Sequence, residues 1–255
     1  MPRNIRIISR LDIKAPNLIK GIQFEGLRVM GLPQEYAEKY YYEGADELLC
    51  IDTVASLYNR NNILNIVKDI ADEIFIPLTV GGGLRCQLDV KNALRSGADK
   101  VAINTAAVKN PNLLSNISKD FGSQCVVLSI EAKKINTNQW EVYTDNGRER
   151  TNIDVFNWIE EASEYGIGEV LITSVDKDGT QKGFDIELCQ MVSNIVKVPI
   201  IVSGGMGSLE DFDNLVKYTD VDAVAIGSVL HYNKISITDI RTRARMIGLE
   251  VRSLC

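Results

Sequence analysis

Thr79-Val80-Gly81-Gly82-Gly83 returns about 122 residues further on as Ile201-Val202-Ser203-Gly204-Gly205. In both copies a short apolar run of strand type breaks into glycine, and self-similarity at a fixed offset is the mark of a repeated architecture. The echo extends outward on either side. Gly44-Ala45-Asp46-Glu47-Leu48 is matched by Gly166-Ile167-Gly168-Glu169-Val170, and Ala98-Asp99-Lys100-Val101-Ala102-Ile103 by Val221-Asp222-Ala223-Val224-Ala225-Ile226. Leu11-Asp12-Ile13 stands beside Ile130-Glu131-Ala132, which puts one carboxylate in each half.

The apolar runs predict parallel strands buried on both faces. They fall near Arg6–Ile13, Glu47–Asp52, Ile74–Val80, Lys100–Asn104, Cys125–Glu131, Glu169–Ser174, Pro199–Ser203 and Asp222–Gly227. Between them the apolar residues take helical spacing, as in Ile63, Ile66, Val67 and Ile70, or Leu188, Met191, Val192 and Ile195. Pro33 and the Asn110-Pro111 step read as helix starts, where a missing N–H costs nothing. Eight strands with eight crossovers in 255 residues predict a single (β/α)8 barrel spanning residues 1–255. A doubly wound sheet would not predict this twofold repeat. No Pro/Gly/Ser-rich linker divides the chain.

The 28 basic and 34 acidic residues leave a net charge of −6 without a basic cluster, which argues against nucleic acid as a partner. No run approaches the length of a membrane span and Met1 to Ser9 lacks an apolar core, so a cytoplasmic protein is expected. Of five cysteines without a CxxC spacing most read as small buried apolar residues, and neither a metal nor a cofactor is expected. The single histidine, His231, excludes a histidine triad or a multi-histidine metal site. Acid/base chemistry falls to carboxylates, Lys, Tyr or Cys.

In such a barrel the active site lies at the C-terminal ends of the strands. Asp12 and Glu131 end the first and fifth, across the mouth from each other, where two carboxylates divide acid and base roles if their environments separate their pKa values. Taken singly, each is as well read as a loop cap or a partner of Arg10 or Lys133. The symmetric placement favours the paired reading. Gly82-Gly83 and Gly204-Gly205 follow the third and seventh strands, and Gly227-Ser228 follows the eighth before a short helix. One such pair is usually only a tight turn. Two on opposite sides of one barrel suggest a substrate with a phosphate at each end, held by backbone N–H groups.

These residues, with Arg6-Ile7-Ile8, Leu11-Asp12-Ile13-Lys14, Lys20-Gly21, Phe75 to Gly83, Gly97 to Val101 and Asp176-Lys177-Asp178-Gly179-Thr180, closely resemble the cyclase subunit of imidazole glycerol phosphate synthase. In that family a glutaminase subunit, bound as a heterodimer at the N-terminal mouth, releases ammonia that travels through the barrel to a bisphosphate. Cyclisation and cleavage give imidazole glycerol phosphate and aminoimidazole carboxamide ribotide. The resemblance implies that Asp12 is one of two catalytic carboxylates and that Lys20 is the lysine of a long mobile loop after strand one. It places Asn104, Thr105, Asp176 and Asp178 in the substrate pocket, and Gly82, Gly83, Gly204, Gly205, Gly227 and Ser228 at or beside the phosphates. Arg6, Glu47, Lys100 and Glu169 match the charged ring that gates ammonia entry, and Asp99 matches a contact to the glutaminase.

The departures cluster at the C-terminal mouth. Glu131 stands where the family has its second catalytic aspartate, Arg10 where a small residue or cysteine is usual, Val54 where a threonine is usual, and Met206 where a small residue is usual. That pattern, with Ile13 to Gly21, Glu25 to Val29 and Ser129 to Ala132, resembles a paralogue subgroup associated with surface polysaccharides. There the barrel supplies ammonia to an ATP-dependent sugar amidotransferase that makes an amidine. An isomerase on the same repeated barrel also uses two carboxylates and a bisphosphate, but it has no ammonia to admit.

Three further features are less diagnostic. Lys133 to Arg150 predicts a hairpin inserted after strand five, with turns at Asn136-Thr137-Asn138 and Asp145-Asn146-Gly147. Tyr40, Tyr41 and Tyr42 predict the flank of the first barrel helix. His231 reads as a structural hydrogen-bonding residue.

Overall fold

A computed structural model describes residues 3–55 and 63–253. Eight parallel strands close on themselves: β1 (Arg6–Lys14), β4 (Glu47–Asp52), β5 (Leu78–Gly81), β6 (Lys100–Ile103), β7 (Val126–Asn136), β10 (Glu169–Ser174), β11 (Ile200–Ser203) and β12 (Ala223–Ile226). The closure is made by β12 pairing β1 and β10 pairing β7. This is the (β/α)8 barrel that the repeat predicts. The third strand begins at Leu78 rather than Ile74, because Pro77 has no N–H to give a ladder.

Alternation along each strand divides the core in two. Outward residues such as Ile7, Leu48, Val80 and Ile172 pack against the helices, whereas Ile8, Leu49, Ala102, Val127, Leu171, Ile201, Ala223 and Ala225 fill the barrel interior. The helix Leu64–Glu73 buries Ile66, Val67 and Ile70, and the helix Ile186–Ile195 buries Leu188, Cys189 and Val192, on the spacings the sequence shows. Pro33 opens the helix Pro33–Tyr42, in which Tyr40 is buried and Tyr42 is exposed.

One echo in the sequence proves to be a register device. Asp46, Asp99 and Asp222 each precede a barrel strand, and each accepts a backbone N–H from the neighbouring strand or its approach. The donors are Ile7, Leu78 and Ile200, all at 2.8 Å. Asp46 is further held by Arg241 at 2.9 Å.

Two excursions rise from the C-terminal face. β1 runs antiparallel into β2 (Asn17–Ile22), which pairs with β3 (Glu25–Gly31), so the segment expected as a loop after strand one is a hairpin. β7 runs antiparallel into β8 (Gln139–Thr144), which pairs with β9 (Glu149–Asp154). The second excursion matches the expected insertion, with Asn138, Asp145, Asn146 and Gly147 at positive φ in its turns. Among the described residues no helix is long and apolar enough to cross a membrane.

Candidate active site

Each barrel strand directs alternate residues inward, so the interior is layered from one mouth to the other. At the N-terminal mouth Arg6, Glu47, Lys100 and Glu169 form a closed ring of alternating charge. Arg6 Nη1 lies 2.5 Å from Glu47 and 2.8 Å from Glu169, and Lys100 Nζ lies 2.7 Å and 2.8 Å from the same two carboxylates. Burial would lower the Arg6 pKa, but the two glutamates outweigh it and raise it. All four cross-ring contacts are made, so each charge in the ring has two partners of opposite sign. Asp99 stands exposed beside it, with one oxygen committed to the Leu78 N–H.

Past the apolar layer the C-terminal mouth divides into two lobes of unequal size. The open lobe is a cavity of about 300 Å³ lined by Gly82, Gly83, Asn104, Thr105, Ser129 and Glu131 among others. The closed lobe, lined by Arg10, Gly204, Gly205, Met206, Gly227 and Ser228 among others, measures about 20 Å³. That is room for about one water.

The open lobe carries unfilled hydrogen-bonding capacity. Asn104 Nδ2 donates to the Tyr143 carbonyl at 3.0 Å, but its buried Oδ1 has no partner among the described residues, nor has Asn146 Nδ2 on the same wall. Thr105 Oγ1 accepts from the Asp145 N–H at 3.1 Å. Orphaned buried polar atoms are costly unless a ligand or water meets them. Gly82 sits at φ +89° because the chain must pass close under the β4 end: a Cβ there would lie 2.2 Å from the Asp52 carbonyl oxygen. Arg85 and Lys109 also line this lobe. Neither was singled out in the sequence, since a lone basic residue in a loop gives no signal of where its loop points.

The two carboxylates occupy different surroundings. Glu131 faces the open lobe and accepts the Gly147 N–H at 2.7 Å. Burial pushes its carboxyl up to about 7, against the pull of that N–H and of Arg10. Asp12 is buried beneath the first hairpin, between Arg10 Nε at 2.8 Å and Lys20 Nζ at 2.7 Å. Burial alone would raise its pKa, but Arg10 and Lys20 hold it well below the usual carboxylate range. The sequence places both carboxylates at the mouth facing one substrate, whereas only Glu131 lines a cavity here. Asp12 is covered because the β2–β3 hairpin lies down over it, with the Gln23 N–H on the Asp178 carbonyl at 2.8 Å.

Lys20 also contacts Asp178 at 3.1 Å, so these two sequence candidates come together with Asp12 in one buried cluster. Asp176 does not join it. Its side chain accepts the Lys134 N–H at 2.8 Å, and it lines a separate surface groove with Phe184 and Glu187. Ser228 Oγ accepts from Gln181 Nε2 at 2.7 Å, and the helix it opens, Ser228–His231, is only four residues long. His231 shares a 2.7 Å hydrogen bond with Tyr40, and burial and Lys20 push its pKa down to about 4, which fits the structural role expected of it. Val54 is not among the cavity residues; Thr53 beside it is.

Above the mouth the two hairpins meet. Phe24 at the tip of the first lies so close over Gly147 that a Cβ there would come within 2.8 Å of the ring, and the same ring stands 5.8 Å from the Arg10 guanidinium. The sequence gives no signal for Phe24 and only a turn for Gly147, because a hairpin tip reveals nothing of what it will touch.

Residues 6–236 match the histidine biosynthesis protein family, and the match takes in the ring, both lobes and both carboxylates. The chain belongs to that family. It is 61% identical over 210 residues to imidazole glycerol phosphate synthase subunit HisF of Legionella pneumophila, covering 82% of this chain and 99% of that protein. It is 45% identical to the subunit of the same name from Prochlorococcus marinus, over 93% of this chain and 94% of that one. With that of Streptococcus mutans it shares 42% over 97% and 98%. The chain is accordingly an imidazole glycerol phosphate synthase cyclase-like enzyme.

Proposed function

We propose that the chain is the cyclase subunit of a glutamine-dependent synthase, taking ammonia from a glutaminase bound at the N-terminal mouth. In this reading it converts a phosphoribulosyl-formimino bisphosphate into imidazole glycerol phosphate and aminoimidazole carboxamide ribotide. The observation that carries the proposal is the separation of the two carboxylates, Glu131 near neutrality and Asp12 held ionised. A group titrating near 7 is matched to proton transfer at neutral pH, whereas Asp12 between two cations is ionised but weakly basic, and becomes the better proton acceptor for the attacking nitrogen only when the Lys20 contact is released. When the β2–β3 hairpin lifts, Lys20 leaves Asp12 and the two carboxylates flank one space. Ammonia reaches that space through the ring and past the small side chains of Ala102, Ala223 and Ala225. Glu131 then gives its proton to the leaving nitrogen as the aminoimidazole separates.

A second reading is favoured by one observation, the closed lobe under Arg10 and Met206. A barrel that passes ammonia to a sugar amidotransferase of surface-polysaccharide synthesis needs no second phosphate site. Incubation with the bisphosphate and a high concentration of ammonium salt separates the two, because ammonium removes the need for the glutaminase. Imidazole product from the unaltered chain is the expected result. No product from it or from Glu131→Asp would overturn the cyclase reading in favour of ammonia delivery.

A further inference from the structure

The inserted hairpin brings another carboxylate into the open lobe. Its β8–β9 turn runs through Asp145, Asn146 and Gly147 at φ +51°, +60° and +73°, three successive left-handed residues. The turn is pinned on two sides. The Asp145 N–H donates to Thr105 Oγ1 at 3.1 Å, the Tyr143 carbonyl accepts from Asn104 Nδ2 at 3.0 Å, and the Gly147 N–H donates to Glu131 at 2.7 Å. The half-buried Asp145 side chain lines the lobe together with Glu131, and it makes no hydrogen bond or ion pair among the described residues. The other charges near Glu131 are engaged elsewhere. Asp12 on β1 is held between Arg10 and Lys20, Asp52 at the β4 end accepts the Val54 N–H at 3.1 Å, and Lys133 on β7 lies over the Tyr143 ring at 5.3 Å. Arg85 donates to the Ala55 carbonyl, and neither it nor Lys109 forms an ion pair with Asp145. The Gly147 N–H and Arg10 therefore draw Glu131 toward its carboxylate, and Asp145 opposes them.

We propose that Asp145 is a positioning residue for Glu131: its unpaired carboxylate, held in the open lobe by the turn, keeps on Glu131 the proton that the leaving nitrogen takes. This rests on reading Glu131 as the proton donor of the cyclase reaction. Like charges in one partly dehydrated cavity repel, so ionising Glu131 beside Asp145 is unfavourable and the neutral acid persists at neutral pH. Once Glu131 has given up its proton, two carboxylates share the lobe. The same repulsion then favours uptake of a proton from bulk water, which restores the acid for the next turnover. Asp145 itself transfers no proton. Asparagine in its place would keep the turn, since Asn adopts positive φ as readily as Asp, but would not carry the charge.

The test is a carboxyl-carbon NMR titration of the full chain, with the Glu131 signal identified by its loss in Glu131→Gln. Its midpoint, about 7 in the wild type, is expected to fall by about 0.5–1 unit in Asp145→Asn, the effect of removing one like charge across a cavity that water reaches. With the bisphosphate and ammonium salt, the alkaline limb of kcat/KM should move down by the same amount. Asp145→Asn should then lose about 3- to 10-fold at pH 8.5 and stay within about 2-fold of the wild type at pH 5. An unchanged or raised midpoint overturns the inference. So does a loss of equal size at both pH values, which is what a merely structural turn residue would give. Should Asp145→Asn not fold, Asp145→Gly removes the same charge at a φ that glycine adopts freely, and the same outcomes decide. The titration needs no turnover, so the two proposals fail separately. A midpoint that falls without any imidazole product sinks the cyclase reading alone, and product with a fixed midpoint sinks this inference alone.

Discussion

Replacing Glu131 by glutamine should make the protein more stable at alkaline pH and leave it unchanged in acid. The Glu131 carboxyl is raised from 4.5 to about 7 in the folded chain, chiefly by burial. A carboxyl raised on folding favours the folded state only while it is protonated. That contribution is fully present below pH 4.5 and is lost as pH rises through 7. Each pKa unit is worth about 1.4 kcal/mol, so the whole loss is about 3 kcal/mol. Glu131 looks into the open lobe, where water screens the charge, so that figure is a ceiling. Glutamine keeps an acceptor for the Gly147 N–H and cannot ionise. Urea unfolding of both proteins at pH 4 and pH 8.5 measures the difference. Glu131→Gln should be within about 0.5 kcal/mol of the wild type at pH 4 and more stable by about 1–3 kcal/mol at pH 8.5, with the m-value unchanged. A gap of the same size at both pH values, or a wild type that gains relative stability with rising pH, would refute the argument that burial makes Glu131 hard to ionise.

Two other substitutions probe the frame of the site. Gly82→Ala places a Cβ 2.2 Å from the Asp52 carbonyl oxygen at φ +89° and should cost about 2–4 kcal/mol in urea unfolding, while weakening phosphate binding in the open lobe; an unchanged midpoint would show that the β5 turn relaxes freely. Lys100→Met leaves Glu47 and Glu169 facing each other across the ring with only Arg6 between them, and should destabilise by roughly 3 kcal/mol, of which Lys100→Met with Glu169→Gln recovers more than half; simple additivity of the two changes would show that the ring is not a coupled network.

The repeat made the barrel legible because strand and helix periods are local properties. Two apolar runs that end alike can be compared without knowing where either sits in space. The same holds for the two glycine turns; of the charged ring only Glu47 and Glu169 fall at matching positions of the two halves, and the family resemblance implies the other two members. The β2–β3 hairpin was not legible as strands. Its Asn17–Ile22 and Glu25–Gly31 runs mix charges and glycines with exposed apolar residues, and their pairing depends on β1 continuing upward past the barrel. Asp176 and Asp178 show the same limit. They are two residues apart in a loop of similar residues, yet one turns inward to Lys20 and the other outward to the inserted hairpin.

What the chain alone determined is therefore the architecture, the identity of the residues at both mouths and the family to which it belongs. The tertiary structure decided the chemistry of those residues. Asp12 and Glu131 are near equivalents in sequence, and their pKa values part because one is packed between two cations and the other lines a cavity with a single backbone N–H. The equal glycine turns likewise open onto unequal lobes because Arg10 and Met206 fill one of them. Periodicity is written along the chain, but electrostatic environment depends on distances between residues far apart in it, and only folding sets those.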